Sequence, residues 1–319
     1  MFGPVGAQRY LHPGRRGPWI EGPGCLRHGG RYAGLVDDEG PDALRGGRAF
    51  ADLSDWRKIG VSGPEAVSWL NDLVSADVAG IRPGRARRAL LLSPTGGVRA
   101  EFTVAVPDGS ALLLQDPLQP RSILDLLSPY LLSSDVELRD RTAELFLFAF
   151  PGRSAAPDVP GAVPSAPSCL GSGADLLGPS GQRDRLRAEL ARTLVPVGPG
   201  DLEAWRVEAG IPRVGIDVAE EDLPQEGRLV DAVSFDKGCY LGQEAVAKVR
   251  NLGHPRRLLV RVEADSPVRG GDDVYADGSV VGRITSAGGD GRVALAKVRW
   301  DARKGPFRTG SGSPVRVLG

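Results

Sequence analysis

The chain has 319 residues, and its 40 basic and 40 acidic side chains give a formal net charge of +0. This balance gives no indication of a nucleic-acid partner or of an anionic membrane surface. Hydrophobic residues make up 41% of the sequence, which predicts packed globular units rather than disorder. The apolar stretches are too short to span a bilayer, and we expect neither a membrane partner nor a secretory signal.

The chain contains three cysteines, Cys25, Cys169 and Cys239. Their number is odd, they lie far apart, and the sequence has no C-x-x-C motif or Cys/His cluster. This pattern argues against a disulfide framework and against a structural zinc site. We therefore expect a cytoplasmic protein without a metal site.

Residues 1–47 are rich in Gly, Arg and Pro and have no apolar periodicity. Such a composition predicts a largely disordered arm, because it offers little apolar surface to bury. We expect ordered structure to begin near Ala49.

Residues 48–252 alternate between strand and helix patterns. Apolar periodicity predicts strands at residues 58–61, 89–92, 98–106, 111–115, 136–138 and 145–150. It predicts helices at residues 62–75, 122–132, 184–194 and 201–209, and another from residue 243. Because hairpins and helices are mixed, the expected class is α+β rather than a doubly wound parallel sheet. A Pro/Ala/Ser-rich linker is expected at about 151–169, between two α+β subdomains.

Residues 253–319 have a different pattern. Short apolar runs at 258–262, 273–275, 279–286, 292–300 and 315–318 are separated by turn signals such as Asp277-Gly278. We predict that this last segment forms a small antiparallel β-barrel domain.

Cys239 precedes a sequence with good helix-forming residues. A cysteine close to a helix N-terminus is exposed to the positive end of the helix dipole, and Lys237 adds a positive charge nearby. Both effects lower a thiol pKa and favour the reactive thiolate. The same residues are equally consistent with an unreactive cysteine at a loop-to-helix junction.

Residues 237–244 read Lys-Gly-Cys-Tyr-Leu-Gly-Gln-Glu and match K-G-C-[FY]-x-G-Q-E, the signature of the YgfZ family. Residues 205–212 resemble the R-[IVL]-E-A-G-[IL]-P segment of the wider aminomethyltransferase-like superfamily. The resemblance extends from about residue 49 to 318. It implies a ring, or cloverleaf, of subdomains around a central folate pocket, with the C-terminal β-barrel closing the ring.

The resemblance also implies residues for the pocket. Glu208 would accept hydrogen bonds from the 2-amino group and N3–H of a pterin. Trp56 and Trp205 would lie against the ligand rings. Periodicity alone favours a solvated helix charge for Glu208 and a core position for Trp205 over these ligand roles. The second tryptophan of the family aligns near Leu202, so the stacking role of Trp205 departs from the family pattern.

Four further residues of the signature are candidates for the pocket. Tyr240 and Gln243 would line it through a hydroxyl and an amide, and Lys237 would contribute its charge. Glu244 would line the pocket or stabilise the start of the helix as an N-terminal carboxylate.

The resemblance therefore implies a tetrahydrofolate-binding protein that supports iron–sulfur cluster assembly or repair through Cys239, with cluster enzymes or assembly proteins as partners. One alternative is the aminomethyltransferase of the glycine cleavage system, which has an Asp-Asp pair where this chain has Ala100-Glu101. Another is a folate-binding scaffold without catalysis. Ligation of a cluster by Cys239 alone is disfavoured, since stable clusters need several thiolates. Whether the protein is an enzyme stays open.

Overall fold

The computed structural model describes residues 39–107, 110–132 and 134–318. Within these ranges the chain forms six α-helices and sixteen β-strands. The helices are α1 Glu39–Arg45, α2 Ala66–Leu73, α3 Ile123–Leu127, α4 Arg183–Leu190, α5 Pro199–Glu208 and α6 Gln243–Leu252. The strands up to the barrel are β1 Ala49–Asp52, β2 Arg57–Ser62, β3 Arg85–Leu92, β4 Val98–Val106, β5 Ala111–Gln115, β6 Glu137–Asp140, β7 Leu145–Phe150, β8 Val163–Ser165, β9 Ala174–Pro179 and β10 Val195–Val197.

Strands β2 to β6 form a first antiparallel sheet in the order β3-β4-β5-β2-β6. Because side chains alternate along a strand, each face of this sheet has its own partners. Ile59 and Val61 point to one face, which packs against α2 and α3 in an apolar core. The opposite face carries Lys58 and Leu114, which are cross-strand neighbours.

A second sheet has the order β10-β1-β7-β9-β8. Strands β1 and β10 run parallel, and the other neighbours are antiparallel. One face buries Phe50, Phe146 and Phe148 together with Leu186 of α4. The other face packs against the first sheet through a core that includes Leu147. The two sheets therefore share an interior, in which the candidate site lies.

The C-terminal strands close into a barrel. They are β11 Arg257–Ala264, β12 Asp273–Ala276, β13 Ser279–Ala287, β14 Val293–Arg299, β15 Phe307–Thr309 and β16 Pro314–Leu318, and their order around the barrel is β11-β14-β13-β12-β15-β16. All neighbours are antiparallel, and β16 pairs with β11 to complete the closure. The predicted α+β class with a C-terminal antiparallel barrel is confirmed.

Asp217 joins the barrel to α5 through a buried set of hydrogen bonds. Its side chain is completely buried and accepts a charge-assisted bond from Arg206 Nη1 at 2.8 Å. It also accepts bonds from Thr285 Oγ1 at 2.5 Å, Ser286 Oγ at 2.7 Å and the Arg213 N–H at 2.9 Å. A buried carboxylate is stable only when its oxygens are bonded in this way. Asp217 therefore fixes α5 against strand β13 of the barrel.

The predicted arm was wrong for residues 39–47, because α1 begins at Glu39. Ala43 and Leu44 of this helix are buried in the core between the two sheets. Burial against a sheet stabilises a seven-residue helix that has too few turns to give a periodic signal. The rest of the predicted arm lies outside the described residues.

Three other predicted elements have different boundaries. The helix predicted over 122–132 ends at Leu127, and a 3-10 turn containing Pro129 follows it. The helix predicted over 62–75 begins at Ala66, after Gly63, whose φ of 115° is not helical. The expected linker at about 151–169 includes the short strand β8.

We predict that Asp217→Ala lowers the free energy of unfolding by about 3–5 kcal/mol, because it removes the buried carboxylate to which Arg206 Nη1, Thr285 and Ser286 donate. Urea denaturation of the purified protein measures this loss. Asp301→Ala is the matched control, since Asp301 pairs with Arg299 at the surface and its removal should change stability by less than about 0.5 kcal/mol. A loss below about 1 kcal/mol for Asp217→Ala would contradict the prediction.

Candidate functional site

A cavity of about 610 Å³ opens between the first sheet, the second sheet and α5. Its walls come from residues 51–56, from β4, β5 and the loop after β5, from residues 169–170, and from residues 197–214. Two of the sequence-predicted residues, Trp56 and Trp205, lie in these walls. Trp205 is 4% exposed and belongs to the core between the sheets, whereas Trp56 is half-buried at its edge. The cavity therefore has aromatic side chains on two of its sides.

Lys58, which lies outside the cavity lining, stabilises the turn that carries Trp56. The Lys58 side chain is completely buried, and its Nζ donates hydrogen bonds to the carbonyls of Ser54 and Trp56, both at 2.9 Å. Burial lowers the pKa of Lys58 to about 8, while the carboxylates of Asp55 and Asp52 act in the opposite direction. This ammonium fixes the backbone that presents Trp56 to the cavity.

Glu101 brings a carboxylate into the cavity from β4. Strand register decides this, because Ala100 packs into the apolar core on the other face of the sheet while Glu101 lines the cavity. Arg88 Nε donates to Glu101 Oε1 at 2.5 Å. The amide of Gln119 bonds both the N–H and the carbonyl of Glu101, at 3.0 and 2.7 Å. Glu101 is therefore fixed through both its side chain and its backbone.

Two segments distant in sequence, around residue 116 and over residues 203–213, form a charged network along the cavity. Glu203 accepts bonds from Arg206 Nη2 at 2.5 Å and from Arg213 Nη1 at 2.6 Å, and Arg213 Nε donates to Asp116 at 2.9 Å. Burial raises the pKa of the Glu203 carboxyl, but the bonds and charges of the two arginines outweigh it, and the pKa lies below its usual value. Glu203 is therefore ionised at neutral pH.

Cys169 also lines the cavity, beside a buried carboxyl group. Asp175 is fully buried and accepts bonds from Ser168 Oγ at 2.5 Å and from the Cys169 N–H at 2.7 Å. Burial raises the pKa of Asp175 to about 7, although these hydrogen bonds lower it. Burial and the nearby Asp175 raise the pKa of the Cys169 thiol well above its usual value. The thiol is therefore protonated at neutral pH and a poor nucleophile.

Carboxylates outnumber cationic side chains among the residues that line the cavity. The lining carboxylates are Asp52, Asp55, Glu101, Asp116 and Glu203, whereas the lining cations are Arg206 and Arg213. This excess of negative charge favours ligands that present several hydrogen-bond donors and disfavours anionic head groups.

Glu208 is not among the residues that line the cavity. It ends α5, and its carboxylate forms a close ion pair with Arg45 of α1. Its carbonyl accepts a bond from Arg261 of the barrel at 2.7 Å. Trp205 and Glu208 are three residues apart and share a face of α5, but only the tryptophan reaches the cavity wall.

The five signature residues proposed for the site also lie outside the cavity lining; they are Lys237, Cys239, Tyr240, Gln243 and Glu244. Lys237 Nζ donates to the carbonyls of Asn71, Val74 and Ala76 at the end of α2. Burial lowers the pKa of this lysine to about 8, while nearby carboxylates act in the opposite direction. The Lys237 side chain is therefore committed to holding the signature segment against α2.

Cys239 is exposed and lies three residues before Gly242, the N-cap of α6. Tyr240 is buried in a core with Leu90 and Leu92 of β3, and burial raises its pKa. Gln243 and Glu244 occupy the first turn of α6. The thiol is therefore presented to the surface rather than to the cavity.

Gly242 allows the signature segment to approach the β3–β4 hairpin closely. Its φ is 81°, and a Cβ at this position would lie 2.4 Å from the carbonyl oxygen of Ser93. Gly96 of the hairpin turn would be 3.2 Å from the same Cβ. Only glycine fits this contact without displacing the hairpin.

Sequence reasoning missed several residues of the cavity, namely Asp116, Cys169, Glu203 and Arg213. Glu203 had one usable signal, because its spacing of three from Arg206 places the two on one face of a helix. Asp116 and Arg213 meet across 97 positions of the chain, and no local pattern signals such a pair.

Comparisons with known proteins agree with this architecture. Residues 35–159 match the family model of the GCVT N-terminal domain. The structure of the glycine cleavage system aminomethyltransferase T from Bartonella henselae superposes with a TM-score of 0.74 at 20% identity, covering 88% of both chains. The chain therefore shares the fold of this aminomethyltransferase, and residues 35–159 are similar to the GCVT N-terminal domain.

Two relatives are similar to the chain over most of their length. An aminomethyltransferase of Streptomyces coelicolor is 26% identical over 317 residues, which cover 86% of this chain and 84% of the relative. A putative chloroplastic transferase of Arabidopsis thaliana is 25% identical over 296 residues, covering 83% of this chain and 68% of the relative.

The described ranges lack two kinds of feature. No group of three or more His, Cys, Asp or Glu side chains there is arranged to hold a metal ion. In the same part of the chain, no helix combines the length and apolarity that crossing a membrane requires.

Proposed function

We propose that the cavity binds a reduced folate, tetrahydrofolate or a derivative of it. The observation that carries this proposal is an acidic cavity bordered by Trp56 and Trp205 within an aminomethyltransferase-like fold. A pterin offers a flat ring for aromatic contact and an amino group and N–H as neighbouring donors. Both features match the side chains that line the cavity. When bound, the folate would supply one-carbon chemistry, and the chain's own residues would orient it and exclude water.

The carboxylate that holds the pterin is a second part of the proposal. The resemblance of residues 205–212 to the superfamily segment assigns this role to Glu208. For Glu208 to act, its carboxylate has to exchange the guanidinium of Arg45 for the donors of the ligand. Glu101 is the competing candidate, because it already lines the cavity and no hydrogen bond from the described residues reaches its Oε2.

We further propose that the protein belongs to the YgfZ family and supports assembly or repair of iron–sulfur clusters. The signature at residues 237–244 supports this assignment. The exposure of Cys239 fits a role toward a partner protein, an iron–sulfur enzyme or an assembly factor, more directly than toward the folate itself. Lys237, Tyr240, Gln243 and Glu244 would support this segment. We place the activity in the cytoplasm, where thiols stay reduced.

The aminomethyltransferase reaction is the alternative, and relatives with that name favour it. The cavity of this chain differs from the Asp-Asp pattern of those transferases in one important respect. Ala100 faces the apolar core, so Glu101 is the cavity-facing position of the pair, and Arg88 binds its carboxylate. A longer side chain held by an arginine places its oxygens differently from an aspartate. Turnover of an aminomethylated carrier protein by the purified chain would establish the alternative.

We predict saturable binding of tetrahydrofolate to the purified protein and at least about fivefold weaker binding by Trp56→Ala, because an aromatic pair contributes about 0.5–1.5 kcal/mol beyond its buried area. Isothermal titration under anaerobic conditions gives both dissociation constants. Trp300→Ala is the matched control, since Trp300 stacks on His254 away from the cavity lining and should leave binding unchanged. Absence of saturable binding by the wild-type protein would sink the folate proposal.

We predict that Glu208→Gln weakens tetrahydrofolate binding more than about tenfold, because charge-assisted hydrogen bonds contribute about 1.5–3 kcal/mol. Glu101→Gln serves as the comparison in the same titration. If Glu101→Gln weakens binding and Glu208→Gln does not, the pterin-binding role passes to Glu101. Arg45→Ala should strengthen binding if the Glu208 carboxylate is in competition between Arg45 and the ligand.

We predict that Cys239→Ala lowers the activity of iron–sulfur enzymes in cells under oxidative stress while leaving tetrahydrofolate affinity unchanged, because the exposed thiol lies outside the cavity lining. Complementation of a deletion strain, with cluster-enzyme activity as the readout, measures the first effect. Cys169→Ala is the matched control, since its thiol faces the cavity and not the surface partner. Unchanged cluster-enzyme activity for Cys239→Ala would remove the thiol from the proposal.

A further inference from the structure

Two segments that border the cavity are each held by a cation from the start of β2. The first rim segment comprises residues 52–56 and includes Trp56. The second rim segment comprises residues 116–121, of which residues 116–119 line the cavity. Arg57 and Lys58, which directly follow Trp56, bond to the backbone of these segments.

Arg57 donates hydrogen bonds to carbonyl groups of the second rim segment. Its Nη2 donates to the Pro117 carbonyl at 2.9 Å, and its Nη1 lies 3.1 Å from Gln115 Oε1. Longer contacts of 3.4 Å join its two terminal nitrogens to the Gln119 carbonyl. The planar guanidinium can serve several acceptors at fixed angles, whereas an ammonium group acts as a point charge on a flexible stem. The shape of this segment therefore depends on the fork of Arg57.

Lys58 acts in the same way on the first rim segment through the carbonyls of Ser54 and Trp56. Three carboxylates from different elements act on its ammonium, Asp52 and Asp55 on the rim itself and Asp140 on β6. The side chain has no exposed surface, so solvent cannot replace its bonds to the two carbonyls.

Neither Arg57 nor Lys58 lines the cavity. Both act on backbone atoms, and the side chains they position, Trp56 on one rim and Asp116 on the other, face the ligand space. A residue outside the cavity lining alters ligand affinity by moving the side chains that do line the cavity. In sensitive sites, a displacement of such a side chain by about 1 Å changes binding or rate by about a hundredfold.

We propose that Arg57 and Lys58 are positioning residues that set the distance between the two rim segments and thereby the affinity of the cavity for its ligand. The identity of that ligand rests on the proposed function, whereas the control of cavity shape does not. The experiment therefore has one readout that uses tetrahydrofolate and one that uses no ligand.

The first readout is the dissociation constant of tetrahydrofolate for Arg57→Lys, which keeps the charge and removes the planar fork. We expect binding about tenfold weaker than wild type. Arg139→Lys is the matched control, because Arg139 lies on the neighbouring strand β6 and pairs with Glu144 at the surface. It should bind tetrahydrofolate as the wild-type protein does.

The second readout is the rate at which a small thiol reagent modifies Cys169 in a Cys25→Ser, Cys239→Ser background. Cys169 faces the cavity, so its modification reports how far the rim opens. Lys58→Met should accelerate modification at least about fivefold, because the turn at 54–56 loses both its bonds to the ammonium. Thr142→Val is the matched control, since Thr142 Oγ1 accepts only the backbone N–H of Lys58 at 3.0 Å.

Weaker tetrahydrofolate binding by Arg57→Lys together with faster Cys169 modification in Lys58→Met, both absent from the controls, supports the proposal. Wild-type behaviour of either variant, or an equal change in its control, overturns it. If the wild-type protein binds no tetrahydrofolate, the proposed function fails, and Cys169 modification alone decides whether these residues shape the cavity; it should then be faster than wild type in both Arg57→Lys and Lys58→Met.

Discussion

The buried ion pair between Arg206 and Asp217 is the constraint on which the site depends. One edge of the Arg206 guanidinium holds Glu203 of the cavity wall, and Nη1 holds Asp217, which bonds to Thr285 and Ser286 of the barrel. Helix α5 thus contributes the Glu203 carboxylate to the cavity wall on one side, and on the other side it is linked by hydrogen bonds to the closed barrel. Any displacement of the barrel would move Glu203, and with it Arg213 and the second rim of the cavity.

The order of elements was largely predictable because most of them carry strong local patterns. Alternation over β4 and the turn signals of the barrel indicated strands, and apolar periodicity indicated a helix at residues 201–209, close to the bounds of α5. The elements that were missed depend mainly on tertiary contacts; they are α1, β1, β8, β9, β10 and β15. Leu44 illustrates the reason, because its helix packs against α5 and against a sheet of which every strand but β1 lies far away in the sequence.

The site was predictable only in part, for a related reason. Family resemblance indicated Trp56 and Trp205, and both reach the cavity. It indicated Glu208 equally, but a local segment cannot reveal that Arg45 from another helix occupies that carboxylate. The residues that carry most of the cavity's charge come together from three distant segments, so their meeting is a property of the fold and not of any motif.

The close contact of Gly242 with the β3–β4 hairpin has a consequence for how the signature is interpreted. Of its eight positions, Gly242 is required by steric exclusion, Tyr240 by burial and Lys237 by its bonds to the end of α2. The motif therefore mainly describes how the loop before α6 is attached to the β3–β4 hairpin and to the end of α2. Cys239 is the exposed thiol of this loop. A sequence could keep these structural residues and lose Cys239, and it would still match most positions of the motif.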